Sequence, residues 1–345
     1  MNQKKSVIFG DKNVEIKEST TCYILRDKYV LVKPYYCGIC GSDVHFYNNI
    51  KKDICRGHEI TGIIKKIGNK VKNFHIGQKV CINPLIYCGI CKHCKNEDYT
   101  FCYNLQIMGV TIDGALTNKI MVHENVLFDL KNVNLDIGVL VQPISLLLKV
   151  FNSFNILDYD KNILIWGAGT LGLLSILVAS LHNIKKLNIV VKYDFQKEKA
   201  IEISKKVGIL LNIIYYNDYN KINYINPEII IETVGGSSNS LKNSLETISN
   251  GGKLYIIGLF NEGSPNIDLS LLVRKNISII GSNFYTKYDF VTAISIIDKF
   301  SNIIKKNIIT HKFMIDDCEN ALKISSNKMS SRCVKCIVQI HKKAT

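Results

Sequence analysis

Four cysteines fall within fifteen residues, as Cys88-x2-Cys91-x2-Cys94-x7-Cys102. Thiolates at that spacing can close a tetrahedral shell on one zinc ion, with bonds of about 2.3 Å. A filled shell leaves no position for substrate, so the cluster predicts a structural metal; an iron–sulfur cluster is the lower-ranked alternative. A second group is of another kind. Cys40, His58 and Glu59, within CGICGSDVH (37–45) and GHE (57–59), offer one sulfur, one nitrogen and one oxygen. Three protein ligands plus water make a catalytic zinc with an open position. Ser42 is suited to bond a substrate hydroxyl and His45 to pass its proton outward. Asp43 is suited to hold the free ring nitrogen of His58.

A third signal is the run NILIW (162–166), then Gly167-Ala168-Gly169-Thr170-Leu171-Gly172, then an apolar stretch. Read as strand, turn and helix, Gly167 permits the tight turn and Gly169 lets a pyrophosphate approach the backbone. Gly172 allows close helix–strand packing. The helix N-terminus faces the pyrophosphate charge. Asp194, 22 residues beyond Gly172, is expected at the end of a second strand. There it would accept from the adenosine ribose 2′-hydroxyl and select NAD over NADP, whereas the adjacent Lys192 and Lys197 would favour a 2′-phosphate.

The elements that position these groups separate into two textures. Residues 1–150 read as short strands and loops, with Val30–Pro34 and Ile60–Ile67 the clearest strands. From about Asp160 the runs NILIW (162–166), NIVV (188–191), EIII (228–231), KLYIIG (253–258) and ISII (277–280) alternate with helical patterns at Leu171–Leu181, Lys197–Lys206 and Leu241–Ile248. That alternation predicts a parallel, doubly wound α/β sheet. A helical Phe290–Phe300 and an apolar Cys333–Ile340 follow. The expected organisation is a first domain, 1–150, completed by 285–345 and interrupted by a nucleotide-binding domain at 151–284.

The chain has 345 residues, a formal charge of +15 and twelve cysteines. Only four of its 44 basic residues are arginine (Arg26, Arg56, Arg274, Arg332), so the surplus is lysine. Recognition of nucleic acid favours the arginine fork, and scattered lysine predicts a solvated surface with no nucleic-acid partner. The N-terminus carries no apolar leader, and unsecreted thiols belong to the cytoplasm, where clusters mean metal. Ile163–Leu181 is nineteen residues without a charge, long enough to span a bilayer, but its glycines predict a buried strand–turn–helix and no membrane partner.

The three motifs, in this order, resemble the zinc-containing medium-chain dehydrogenase/reductase family over essentially the whole chain. Within it, INPLIYCGICKHC (82–94), LQIMGVTIDGALT (105–117) and RCVKCIVQI (332–340) resemble the polyol branch of sorbitol-type and hexonate 5-dehydrogenases. The resemblance implies a GroES-like β-barrel catalytic domain, a Rossmann coenzyme domain and a homodimer or homotetramer. It also implies that Cys40, His58 and Glu59 hold the catalytic zinc, that Ser42 and His45 form the proton relay, and that the reaction moves a hydride between NAD(H) and a secondary alcohol of a polyol or sugar acid. No cysteine lies between Cys102 and Cys318, so the all-soft ligand set of the alcohol-dehydrogenase branch cannot be assembled and Glu59 must complete the site. Cys318, Cys333 and Cys336 are expected as buried thiols.

Four features depart from the family. Gln142-Pro143 replaces Glu-Pro near the metal, bringing an oxygen but no charge. The loop from His45 to His58 is short. GALTNK (114–119) has Asn118 and Lys119 at the end of its phrase, and the turn before the second Rossmann strand is longer. Gln142 and the altered phrase motivate the other reading, a zinc- and dinucleotide-binding sensor or scaffold.

Overall fold

The computed structural model describes residues 2–21, 23–49, 53–154, 161–261 and 267–341, which leaves Cys22 outside. The chain divides into two compact units, Met1–Gln142 with Thr286–Thr345, and Pro143–Tyr285.

The first unit opens with an antiparallel hairpin, β1 (Asn2–Gly10) and β2 (Asn13–Thr21). β3 (Tyr29–Gly38) and β4 (Glu59–Ile67) then form the long central pair. Their register slips at Leu31/Val32 and at Pro34/Tyr36, and the second irregularity is where Pro34, which lacks an N–H for the ladder, is accommodated. β5 (Lys79–Ile82) pairs with β4. The two-residue strands β6 (Leu85–Ile86) and β7 (Gln106–Ile107) pair with each other and bracket the cysteine-rich segment. β8 (Ile120–His123) and β9 (Leu127–Asp129) complete the first segment. Inward residues such as Val30, Val32, Ile64, Val80 and Leu116 are wholly buried and form one core with Val7 and Val338.

The second unit is a parallel six-stranded sheet built from β10 (Ile163–Trp166), β11 (Lys186–Val191), β12 (Leu210–Tyr215), β13 (Ile229–Glu232), β14 (Lys253–Ile256) and β15 (Ser278–Gly281). Their order is β12-β11-β10-β13-β14-β15, so the direction of winding reverses between β10 and β13. All four residues of β10 are buried, as expected of a parallel strand covered on both faces. The helix Thr170–Leu181 behind it buries residues around most of its circumference, from Gly172 to Ala179. This explains the uncharged nineteen-residue run: it is a core strand and a core helix joined by a turn. Among the described residues no helix is long and apolar enough to cross a membrane.

β16 (Ile309–Met314) and β17 (Lys335–Gln339) return to the first unit, where the sheet order is β16-β17-β3-β4-β5-β9, with β8 also on β3. The terminal strand thus lies against β3, pairing Gly38 with Ile337. Cys318, Cys333 and Cys336 are buried here, and burial pushes Cys336 up to about 12. They are core thiols.

Candidate active site

Cys40 follows β3 and directly precedes the helix Gly41–Asn49. His58 immediately precedes β4, and Glu59 is its first residue. Because Gly38 and Glu59 are Cα partners across β3 and β4, two ligands distant in sequence meet at one end of the sheet. The ligand atoms of Cys40, His58 and Glu59 all lie within 4.8 Å of one another. Small side-chain adjustments close that span onto one ion with bonds of about 2.0–2.3 Å. His58 and Glu59 are 6% and 1% exposed. His58 Nδ1 and Asp43 Oδ1 are buried without a hydrogen-bond partner. Buried polar atoms left unsatisfied are rare, and here they surround a sulfur–nitrogen–oxygen donor set, so the residues present fit a zinc ion.

The backbone under His58 is held by the segment expected to resemble hexonate enzymes. Gly114 N–H donates to Cys55 O at 2.7 Å, Ala115 N–H to Gly57 O at 3.1 Å, and Leu116 N–H to Arg56 O at 2.8 Å. A Cβ on Gly114 would overlap the Gly57 carbonyl, and one on Gly109 would meet it at 2.6 Å. Glycine is required there because two backbones touch.

Asp43 sits in the first turn of the Gly41–Asn49 helix and is wholly buried. Its Oδ2 accepts from Cys40 N–H at 2.9 Å, while Oδ1 lies 3.7 Å from His58 Nδ1. The second distance is an ion pair and too long for a hydrogen bond. The brace expected of Asp43 is therefore electrostatic toward His58 and hydrogen-bonded toward Cys40. Burial works against a charged His58, but Asp43, Cys40 and Glu59 together outweigh it and raise the imidazole to about 10. Ser42 and His45 are three residues apart on the same helix, hence on neighbouring positions of one face. Gln142 is the second residue of the helix Val141–Phe151 and is half-buried.

Sequence reasoning missed two buried cations. Lys335 of β17 is 3% exposed, and its Nζ donates to Glu59 Oε1 at 2.7 Å and to Ile39 O at 2.9 Å. Nζ is also 2.5 Å from Glu59 Oε2. Burial lowers the lysine's proton affinity, yet Glu59 and Cys40 more than restore it, so the ammonium stays charged. Arg56, one residue before Gly57, is wholly buried, with its guanidinium 4.6 Å from the Phe46 ring centre and 5.6 Å from that of Phe9. No spacing rule marks either. A lysine in an apolar terminal strand, facing core on both sides, was the available signal for Lys335.

The four-cysteine cluster forms a separate centre. Cys88, Cys91, Cys94 and Cys102 bring their sulfurs within 4.8 Å of one another. Cys91 caps the short helix Lys92–Lys95, and Cys102 closes the turn Tyr99–Phe101. Backbone N–H groups of Cys94 and Tyr103 lower Cys91 to about 6, which favours the thiolate that a metal needs.

In the second unit Gly167 has φ +104°, and a Cβ on Gly172 would overlap the Gly167 carbonyl oxygen. Gly169 precedes the helix that begins at Thr170 and Leu171. Thr233 Oγ donates to Trp166 O at 2.9 Å, tying the end of β13 to the start of this loop. The loop thus sits where the winding reverses, the crevice in which open α/β sheets bind nucleotides. Asp194 lies elsewhere than expected. β11 ends at Val191, and Asp194 is the first residue of the following helix, Asp194–Val207, with its carboxylate bonded by the Tyr215 hydroxyl.

An open zinc-type donor set in one unit and a glycine loop at a sheet switch point in the other define an oxidoreductase class. Residues 26–132 match the alcohol dehydrogenase GroES-like domain, and residues 135–340 match the glucose dehydrogenase C-terminus. The chain belongs to the zinc-containing medium-chain dehydrogenase/reductase family, in its polyol and hexonate branch. It is 25% identical to a sorbitol dehydrogenase of Bacillus subtilis over 98% of this chain and 97% of that one. An L-idonate 5-dehydrogenase of Vitis vinifera is also 25% identical, over 90% of this chain and 92% of its own length. The crystal structure of L-idonate 5-dehydrogenase from Escherichia coli superposes with a TM-score of 0.83 at 21% identity, covering 98% of this chain and 99% of that one.

Proposed function

We propose that the protein oxidises a secondary alcohol of a polyol or sugar acid, or reduces the matching ketone, using a nicotinamide cofactor. The observation that carries this reading is the convergence of Cys40, His58 and Glu59 within 4.8 Å. These residues would hold zinc, which supplies Lewis acidity toward the substrate oxygen. Glu59 is clamped by Lys335, so its orientation is set before any ligand arrives. Ser42 accepts the proton of the substrate hydroxyl, and His45, on the same helical face, passes it outward. Gln142 contributes an uncharged amide oxygen and cannot act as a base. Gly167, Gly169 and Gly172 let the cofactor pyrophosphate reach backbone N–H groups at Thr170 and Leu171. The cofactor supplies the hydride chemistry, and the chain supplies position and charge.

Cys88, Cys91, Cys94 and Cys102 hold a second, structural zinc in this reading. The eleven described cysteines are all free, in keeping with a cytoplasmic enzyme. β15 is an edge strand with partly exposed residues, and Leu269 and Val273 of the helix that precedes it in sequence are 66% and 83% exposed. An apolar sheet edge of this kind suits a homo-oligomer. The test is direct. Purified, zinc-loaded protein is mixed with a panel of polyols and hexonates and either NAD or NADP, and absorbance is followed at the reduced-nicotinamide band. Turnover of at least one such alcohol is expected; none across the panel with either cofactor overturns the proposal.

A further inference from the structure

The turn after β11 bears on the choice of cofactor, an inference that rests on the nicotinamide-dependent reading above. In a doubly wound sheet the adenosine ribose lies at the C-terminal end of the strand that follows the glycine loop's helix, here β11. An acid at that end accepts from a free 2′-hydroxyl, whereas a cation there pairs with a 2′-phosphate. β11 stops at Val191, and the residue that follows is Lys192, exposed and without a salt bridge among the described residues. Its ammonium lies 5.6 Å from the ring centre of Tyr193, and that ring stacks at 5.7 Å on the buried Phe195. Gln196 accepts from the backbone N–H groups of Lys192 and Tyr193 at 2.9 and 3.2 Å, which fixes the turn.

The acid has another occupation. Tyr215 is the Cα partner of Val191 across β11 and β12, so its phenol stands beside the end of β11. The Tyr215 hydroxyl donates to the Asp194 carboxylate, and the Lys197 ammonium lies 5.4 Å from the Tyr215 ring centre. An unpartnered carboxylate would repel a phosphate dianion. Here the phenol occupies one oxygen of the carboxylate, Oδ1, and the Lys197 ammonium beside the same ring offsets its charge toward a phosphate.

We propose that this turn is a 2′-phosphate site in which Lys192 and Lys197 are the charge partners and Tyr215 withdraws Asp194 from the ribose, so that the protein prefers NADP(H) to NAD(H). The preference is read by equilibrium binding of NADPH and NADH through nicotinamide fluorescence, with no alcohol present. The probes that isolate the subsite are 2′,5′-ADP and 5′-ADP as competitors. The wild type is expected to bind NADPH at least tenfold more tightly than NADH, and 2′,5′-ADP more tightly than 5′-ADP by a similar factor. Lys192→Glu should lower the NADPH/NADH affinity ratio at least tenfold, and Tyr215→Phe should lower it by freeing Asp194 for the ribose. Equal or tighter binding of NADH by the wild type overturns the proposal, as does a parallel loss of both cofactors in Lys192→Glu. Binding of neither cofactor would overturn the dehydrogenase reading itself, whereas binding without turnover would leave the cofactor preference standing.

Discussion

The two thiol-bearing centres of the first unit are built on opposite plans. The four-cysteine cluster draws every ligand from residues 88–102, and local turns place them: Gly89 and Glu97 both have positive φ, and Cys91 caps its own short helix. Nothing beyond the segment is needed to bring the sulfurs together. The Cys40–His58–Glu59 centre is assembled by the sheet. Its ligands come from the end of β3 and the start of β4, and its counter-charge, Lys335, comes from β17, 276 residues away from Glu59. In the proposed reading the local centre would offer a filled shell and no reactivity, while the assembled one would leave a coordination position open. That reading puts reactivity at the centre whose charges are buried and whose geometry depends on strands distant in sequence.

Separating the two by mutation gives the largest expected effect. His58→Ala should lower turnover on the order of a thousandfold, about 4 kcal/mol of barrier, and reduce bound zinc from two per chain to one. Cys94→Ser should also leave one zinc per chain, but its signature should be a melting temperature lower by roughly 5 °C or more, with turnover retained per folded molecule. Metal content, melting and turnover measured on both variants check this. If Cys94→Ser abolished turnover in molecules that remain folded, the division into structural and reactive centres would be wrong.

Lys335 comes next. Breaking a buried pair strands a buried charge, at about 3 kcal/mol or more. Lys335→Met should therefore lower stability to denaturant by that amount, while Lys335→Met combined with Glu59→Leu should recover much of the loss. Urea unfolding of the two single variants and the double variant closes the cycle. A double variant no more stable than the singles would mean that Lys335 acts through packing alone. No such exposure to charge burial is expected in the cysteine lobe, where Cys88 and Cys91 remain partly accessible.

Titration gives a smaller, graded effect. The folded imidazole of His58 is raised to about 10, above the usual value near 6.5 of an unfolded chain. A raised group contributes stability that is fully present below pH 6.5 and is lost as pH climbs through 10. The metal-stripped protein should thus lose up to about 1.4 kcal/mol per pH unit from this group in that window. Zinc needs the neutral ring, so apparent affinity at this centre should rise by up to about tenfold per pH unit over the same range. Chelator competition at pH 7, 8 and 9 measures it. A flat profile would show that His58 is neutral before metal binds.

The same contrast governs what could be read from the sequence. The cysteine ladder and the glycine loop were legible because each is a local pattern whose spacing alone fixes the geometry. The strands of the nucleotide sheet were legible for a related reason: five of the six carry apolar runs between turn signals. β12 was missed because Leu210–Tyr215 is an edge strand, interrupted by Asn212, with only Ile214 fully buried, and runs into a tyrosine-rich turn. Asp43 was assigned to His58, and its Oδ1 does face the ring at 3.7 Å; what the sequence did not show is that Oδ2 also accepts from Cys40 N–H, a local side-chain-to-backbone bond. Asp194 was placed by counting from Gly172, and counting cannot see that register sets Tyr215 beside Val191. For Lys335 the sequence offered only a lysine in an apolar strand; its partner Glu59 is set by tertiary contact, which no spacing shows.

The smallest expected effect tests the claim that the lobe's geometry is local. Ile90 lies between two ligands, Cys88 and Cys91, yet it is 75% exposed, so its side chain has little packing to lose. Surface changes of that kind usually stay within about 0.5 kcal/mol. Ile90→Ser should therefore keep both zinc ions and full turnover, with a melting temperature changed by no more than about 2 °C. The comparison at the other centre is Ile60, one residue past Glu59 and 2% exposed, where Ile60→Ser removes core contacts and buries a hydroxyl. That change should destabilise by about 2 kcal/mol or more. Thermal melting of the two variants side by side decides the matter: equal losses would mean that the lobe leans on the rest of the unit as heavily as the reactive centre does.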